Sequence, residues 1–566
     1  MSNKHEALSL ERKQLQEEGR IPQWYSTPAW QMFKSKYLVE SEKDVKTRFQ
    51  VIAKTLAKHL PVEYRDEYES KFYHLMWEGI LSPASPVLAN TGTARGTPVS
   101  CSGQYIGDSV DSFYTNLRET ALLSKNSFGT SGYFGDIRAR GSKITGGGIA
   151  NGAKPVIEDF FQCAANISHG GMRVGSFAAY VNMADPVFDE CVASLHLDHK
   201  GKNYGWVIDD KFTEQLRHGE PTALAKWQKA LHAKLLSGKG YFFFPDKANR
   251  HRPQMYKDLG LDIKATNLCT EIMLHSSEEY TYSCILSSLN LYHWDRIKDS
   301  TAVFDSMVFL DCLCSEFIKV AEHNPGLEKV VEFTRKGRAV GLGVMGFSTY
   351  LQSKLIPYEG LDAMYLNNDI FKHIHDETLR ASQRLAEILG EPEWCKGYGV
   401  RNTHRTAVAP TKSTAGLLGG MSESVSVDPA WAFTAGSVVG EIARIPPVFL
   451  QVMKDKGVYN QATITDIINH VGSVQHVDWL DPLEKLVFKN AFECDPFVTL
   501  RYAKQRQKYL CQGQSLNFFI PDNDNTESLL SRLMTDCVLD EDILSQYYVY
   551  TRSGIVISDE CLACSS

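Results

Sequence analysis

Asn267, Cys269 and Glu271, in the run NLCTE, set a thiol between an amide and a carboxylate. In an extended finger alternate side chains point the same way, so the three would face one space. Three further cysteine positions invite chemistry. Cys101 in PVSCSG and Cys284 in YSCILSSLNL both lie on strand-like segments, and Cys561 and Cys564 form a CxxC close to the end of the chain. A structural zinc needs four ligands, and no second CxxC or HxxxH partner is present, so no metal site is expected. The CxxC reads instead as an exposed redox dithiol able to swing. The chain holds 13 cysteines, an odd number spread widely, unlike the dense even framework of a small secreted scaffold. Most should be buried small hydrophobes, and the CxC at Cys312 and Cys314, in an apolar helical stretch, reads as core.

The elements that would position these residues alternate. Strand-like segments fall at Val99–Ile106, Tyr241–Phe244, Tyr280–Leu291, Thr406–Val408 and Leu516–Ile520, with helical stretches at 302–322, 367–389 and 480–492. Strands alternating with helices over so long a span predict an α/β architecture, a barrel or a wound sheet. Residues 1–25 read as a polar lead-in. Ser41 and Asp44 resemble a capping box, and Val45, Phe49, Ile52 and Leu56 follow at helical spacing, predicting a helix over 42–60. Gly341–Gly346 matches GxGxxG formally, but a lone match is weak and reads as a packing segment. The segment SGIVISDECLACSS reads as a mobile tail.

At 566 residues the chain exceeds what one core supports, so one large domain with appendages or several smaller ones is expected. Hydrophobic residues make up 43% and charged residues 22%, ordinary for a soluble globular protein. A formal charge of -7 argues against a constitutive nucleic-acid binder. The start of the chain has no apolar segment of the secretory kind, and no run reaches the roughly 18 apolar residues of a membrane span. A soluble, cytoplasmic protein is expected.

Ten segments in order resemble the large subunits of ribonucleotide reductases: SPASPVLAN, PVSCSGQYIGDSVDSF, GDIRARGSKITGGG, ISHGGMRVGS, NLCTE, SCILSSLNL, GLGVMGF, APTKSTA, YYVYTR and CLAC. The resemblance implies a ten-stranded α/β barrel, two five-stranded halves packed antiparallel with a finger loop threading the centre. It implies domains at 1–80 (helical), 81–540 (barrel) and 541–566 (radical-transfer tyrosines and redox tail). It also implies the chemistry, reduction of a ribonucleotide by a thiyl radical on Cys269. Glu271 would be the general base for the 3′-hydroxyl, and Asn267 would hold the 2′ and 3′ hydroxyls. Cys101 and Cys284 would supply two electrons and end as a disulfide, which needs Cα atoms roughly 4.4–6.8 Å apart. Cys561 and Cys564 would then reload that pair and be re-reduced by thioredoxin or glutaredoxin.

By the same resemblance, Ser85, Ser100, Thr411, Lys412, Ser413 and Thr414 would contact the substrate, the last four as a phosphate loop, with Arg173 directed at the base. Lys412 stands where a neutral or acidic residue is expected. Asp108, Arg138 and Ile144 resemble the site for an effector, ATP or a deoxynucleotide, at a homodimer interface. His169 replaces an expected glutamine and Asp136 an expected basic residue. Tyr547 and Tyr548 resemble the stacked pair that passes a hole to the finger cysteine in the class needing a small metal-carrying radical subunit. That class implies ribonucleoside diphosphates as substrates, and no cofactor bound by this chain itself. An adenosylcobalamin-dependent reductase is the alternative. The ATP-binding cone common in the family is expected to be absent. A protein whose cysteines are merely buried, and another thiyl-radical enzyme on the same barrel, are the competing readings. Neither accounts for the tyrosine pair, the strand cysteines and the CxxC together.

Overall fold

The computed structural model describes residues 2–169, 173–437, 440–521 and 523–552. Helices Ser2–Glu17, Thr27–Lys36, Val45–Ala57 and Val62–Trp77 lead the chain. The expected lead-in is therefore largely helical. Its polar residues are not idle, since the Gln16 amide donates to the carbonyls of Pro22, Gln23 and Tyr25 and fixes the following turn. The helix predicted over 42–60 begins later than expected, because Asp44 itself is the cap. Its carboxylate accepts from the Thr47 amide at 2.7 Å. Val45, Phe49, Ile52 and Leu56 are buried, as their spacing requires. Arg48 on the same helix is fully buried, paired with Glu42 and donating to the carbonyls of Leu88 and Thr91, which ties the helical region to the barrel.

The barrel is a ring of two halves. Strands Cys101–Tyr105, Gly129–Tyr133, Phe177–Asn182, Asn203–Val207 and Tyr241–Phe243 run parallel in the first half. The second half starts with Tyr282–Cys284, continued after a break at Ile285 by Leu286–Asn290, and passes to Gly341–Met345. Single parallel bridges lead on from Leu342 to Thr406 and from Val408 to Gln514. The strand expected at Thr406–Val408 is thus two bridges rather than a ladder. Phe518–Ile520 then pairs in parallel with Val549–Thr551, which continues Ser545–Gln546. The halves meet at two antiparallel seams, one pairing Cys101 with Cys284 and the other pairing Ser545 with Phe243. Ten strand positions close the ring, as expected.

Two of the glycines in Gly341–Gly346 are there for close approach. A Cβ on Gly343 would lie 2.5 Å from the Ala407 carbonyl oxygen, and one on Gly341 would lie 2.5 Å from Leu286 Cδ2. The motif is a packing segment of a barrel strand. Outside the ring, helix Ala302–Ala321 is apolar nearly all round and buried, with Cys312 and Cys314 in its core-facing turns. The helix expected over 480–492 is confined to Pro482–Val487. Asp481 and Glu484 cap its start reciprocally, and at its end the Asn490 amide turns to the Glu493 carboxylate, opening a new turn. No helix among the described residues is long and apolar enough to cross a membrane.

Candidate active site

The NLCTE segment is a tight turn, which corrects the extended finger expected from alternation. Thr270 has a φ of 71°, in the left-handed region, and its amide donates back to the Asn267 carbonyl at 3.2 Å. A β-branched residue there costs about 1–2 kcal/mol and persists only where its surroundings impose it. They do. Tyr180 Oη donates to the Asn267 carbonyl at 2.8 Å, Ser515 Oγ to the Cys269 carbonyl at 2.6 Å, and Ser545 Oγ to the Thr270 carbonyl at 2.9 Å. The Gly513 amide adds a bond to the Glu271 carbonyl at 2.8 Å. Three barrel segments thus clamp one turn, and Asn267, Cys269 and Glu271 are all buried in the barrel's middle.

Burial pushes the Glu271 carboxyl up to about 7, against which its own amide, Asn267 and Ser515 act to stabilise the anion. Ser515 Oγ lies 3.0 Å from Glu271 Oε2, so one hydroxyl touches both the carboxylate and the backbone of the thiol residue. The Asn267 carbonyl oxygen of the side chain accepts from the Ile272 amide at 3.0 Å. Its Nδ2, buried, closes no hydrogen bond among the described residues beyond the help it lends the Glu271 anion. An unmet buried donor is expected where a hydroxylated ligand completes the bonding.

Cys101 and Cys284 face each other across the first seam as direct partners in the ladder. Such antiparallel pairs hold their Cα atoms about 4.5–5.5 Å apart, inside the disulfide range. Both are thiols here. Burial, then the neighbouring Cys101 thiol, push the Cys284 thiol well above its ordinary range, with Glu271 and Cys269 close enough to add to the shift. A cleft opens over this group. Its lining brings Cys101, Cys269 and Glu271 together with Ser85, Ser100 and the run Thr411, Lys412, Ser413 and Thr414. Cys284 and Asn267 are not among its lining residues and stand behind them. Thr411 Oγ1 accepts from the Ser424 amide at 2.8 Å, which shapes the loop before the short helix Lys412–Leu417. Lys412 is exposed and, among the described residues, is the one cation in the lining.

Behind Cys269, away from the cleft, the surroundings turn aromatic. Tyr547 Oη donates to Cys269 Sγ at 3.5 Å, and the Tyr547 and Tyr548 rings lie 4.2 Å apart. Tyr550 stacks on Tyr548 at 5.5 Å, and Phe519 on Tyr550 at 4.8 Å. Tyr547 is fully buried and Tyr548 nearly so, while Tyr550 reaches partial exposure, so the aromatic column runs from the sulfur toward the surface.

The model of the ribonucleotide reductase barrel domain matches residues 99–226, 220–397 and 392–537, and that of the ribonucleotide reductase all-alpha domain matches 23–96. The chain belongs to the ribonucleotide reductase large-subunit family. A Frog virus 3 (isolate Goorha) protein named as a ribonucleoside-diphosphate reductase large subunit is 30% identical over 81% of this chain and 83% of its own length. The large subunit of Invertebrate iridescent virus 3 is 28% identical over 87% and 89%. Among solved structures, the class Id ribonucleotide reductase alpha subunit of Actinobacillus ureae superposes with a TM-score of 0.86 at 36% identity, covering 94% of this chain and 98% of that one.

In this reductase the residues expected to hold an effector also gather in one place, apart from the cleft. Arg138 pairs with Asp108 at 2.6 Å and donates to the Lys143 carbonyl at 3.2 Å, fixing a loop on which Ile144 is 40% exposed. Asp136 forms an ion pair with Lys264 at 2.6 Å and accepts from Tyr105 at 2.9 Å. Burial alone would raise the Asp136 carboxyl, but Lys264 and Tyr105 hold it below its ordinary range. Ser168–His169 and Arg173–Val174 form a short antiparallel hairpin, and the side chains of His169 and Arg173 lie outside the described residues. So do Cys561 and Cys564. The sequence did not single out Ser515, which bridges thiol backbone and carboxylate, or Tyr241, whose hydroxyl meets that of Tyr548 at 3.0 Å. No local pattern marks either residue. Among the described residues the one cluster with metal-ligating geometry is Asp466, His470 and His476, which do not line the cleft.

Proposed function

We propose that this chain reduces ribonucleoside diphosphates to 2′-deoxyribonucleoside diphosphates, with Cys269 as the radical-bearing sulfur. A radical at C3′ makes loss of the neighbouring 2′-hydroxyl feasible, where the closed-shell route is not. Cys269, as a thiyl radical, takes the 3′ hydrogen. Glu271 accepts the 3′-hydroxyl proton, and a carboxyl near 7 is matched to that exchange at neutral pH. The 2′-oxygen leaves as water with a proton from the Cys101–Cys284 pair. That pair loses two electrons and two protons in all, one hydrogen leaving in the water and the other going to C2′ as one S–S bond forms. Glu271 then returns its proton to the 3′-oxygen and Cys269 its hydrogen to C3′. The raised thiol range of Cys284 suits this role, because a protonated thiol delivers hydrogen where a thiolate delivers only charge.

Asn267 Nδ2 supplies the donor for the sugar hydroxyls. Ser85, Ser100 and Thr411–Thr414 form the polar end of the cleft for the phosphates, with Lys412 as its counter-charge. Tyr548 and Tyr547 carry the hole inward from a small metal-carrying radical subunit. Cys561 and Cys564 reload the thiol pair from thioredoxin or glutaredoxin, and ATP or a deoxynucleotide at Asp108, Arg138 and Ile144 sets substrate preference across a homodimer, with Arg173 meeting the base. The observation that carries the reading is the position of one sulfur, 3.5 Å from a phenol on one side and lining a cleft with Cys101 and Glu271 on the other. The test is CDP reduction by the purified chain with and without a class I radical subunit. Turnover is expected only with the subunit, and turnover with adenosylcobalamin alone would overturn this source of the radical.

A further inference from the structure

We propose that Tyr241 is a third redox-active tyrosine of the relay, exchanging a hydrogen atom with Tyr548. The inference rests on Tyr547 and Tyr548 carrying the hole. Tyr241 belongs to the opposite half of the barrel, yet the second seam brings it to the pair. Ser545 is registered with Phe243 and Gln546 with Phe242, so the next step of that antiparallel register sets Tyr547 beside Tyr241. The Tyr241 ring lies 4.7 Å from that of Tyr547 and 5.4 Å from that of Tyr548, and the Tyr241 and Tyr548 hydroxyls are 3.0 Å apart. The three rings form a closed triangle with Cys269 at one corner.

A buried tyrosine can be simple core, and the fold has several. The hydroxyls of Tyr204, Tyr256 and Tyr282 make no close hydrogen bond, and that of Tyr180 goes to a backbone carbonyl. Tyr241 differs because its hydroxyl is set against the phenol of a relay residue. Asn203 Oδ1 stands 3.3 Å from the same hydroxyl, and the Asn203 Nδ2 donates to the Phe177 carbonyl at 3.2 Å, which keeps the amide oxygen turned to Tyr241. Tyr241 therefore donates to the Tyr548 oxygen at 3.0 Å, with Asn203 Oδ1 at 3.3 Å as a second acceptor for the same hydrogen.

The step balances without any further reagent. Tyr548–O• and Tyr241–OH become Tyr548–OH and Tyr241–O•, as one O–H bond breaks and one forms across 3.0 Å. Electron and proton move together, so no charge is created in a dry region where an unpaired ion would be costly. The bonds exchanged are of one kind, which keeps the exchange close to thermoneutral. From Tyr548–OH the hydrogen atom returns to Tyr241–O• across the same 3.0 Å, which restores Tyr548–O• and makes Tyr241 a side station of the relay.

The test uses the holoenzyme assembled with a class I radical subunit, CDP and an effector. Tyr241→3-aminotyrosine places an easily oxidised phenol at the site, and Tyr548→3-aminotyrosine serves as the reference. An aminotyrosyl radical seen by electron paramagnetic resonance in both variants is the expected result. Trapping at 548 but not at 241 overturns the role of Tyr241 and leaves the relay intact, whereas trapping at neither overturns the relay itself. A second measurement covers poor folding of the first variant. Adding Tyr241→Phe to Tyr548→3-aminotyrosine should shift the g-tensor of the trapped radical, as a hydrogen bond is lost. In the otherwise unaltered chain Tyr241→Phe should lower turnover about tenfold. An unchanged g-tensor with unchanged turnover refutes the proposal.

Discussion

The two seams of the barrel join the same two halves by the same antiparallel pairing, yet one carries a thiol pair and the other a group of phenols. At the first, Cys101 opposes Cys284 and the cleft opens beside them. At the second, the pairing of Ser545 and Gln546 with Phe243 and Phe242 leads into Tyr241, Tyr547 and Tyr548, all of them buried. Antiparallel partners stand directly opposite each other and closer than side chains on parallel neighbours, so each seam is where two side chains can exchange atoms. The difference lies in what each exchange leaves behind. Under the proposed function the thiols are consumed and must be renewed from outside, which requires an opening. Phenols return to where they started, which permits a sealed interior. Cys269, clamped between the seams, is shared by both.

Variants can break this pairing of roles in a graded way. Cys269→Ser removes the shared sulfur, and CDP reduction should fall by roughly 10⁴-fold or more with the fold retained by circular dichroism. Retention of measurable turnover would mean that neither seam depends on it. Tyr548→Phe should cost a comparable factor in steady-state reduction, while substrate binding measured by calorimetry stays within about twofold, because the phenol lies away from the cleft. Glu271→Gln should lower turnover by about 10²–10⁴-fold and flatten a pH–rate profile that otherwise rises through about 7.

The same replacement should stabilise the fold. An acid whose folded value is raised from 4.5 to about 7 imposes no cost below pH 4.5, an increasing one between, and the full one above pH 7. Thermal denaturation at pH 8 should therefore show Glu271→Gln more stable by up to about 3 kcal/mol, and no gain at pH 4. Arg138→Ala, remote from both seams, should have the smallest effect. Basal reduction persists, and the affinity for a stimulating deoxynucleotide, read by equilibrium dialysis, weakens about tenfold.

Much of the cleft was legible because its residues sit in short runs with recognisable order. Cys101, Cys269 and Glu271 stand out in local sequence, and the family resemblance adds the Thr411–Thr414 run; all of them line the cleft. The turn at Thr270 could not, since threonine gives no sign of a left-handed backbone, and three distant segments impose it. Tyr241 was equally hidden. Its contact with Tyr548 spans about 300 positions and depends on the register of a two-residue strand. The helix Ser2–Glu17 escaped notice because its polar side chains serve the next turn rather than forming an apolar stripe. The second half of the barrel reads as fragments in sequence for a related reason, since two of its connections are single bridges instead of ladders.

Ser515 holds the Cys269 carbonyl at 2.6 Å and the Glu271 carboxylate at 3.0 Å with one hydroxyl. A hydroxyl has a single hydrogen, so these two acceptors compete for it. When the carboxyl gains a proton its pull slackens, and the hydrogen settles on the peptide that carries the sulfur. Ionisation of Glu271 is thereby felt as a change in the grip on the backbone of Cys269, and under the proposed mechanism the proton taken from the substrate tightens the hold on the atom that must give the hydrogen back.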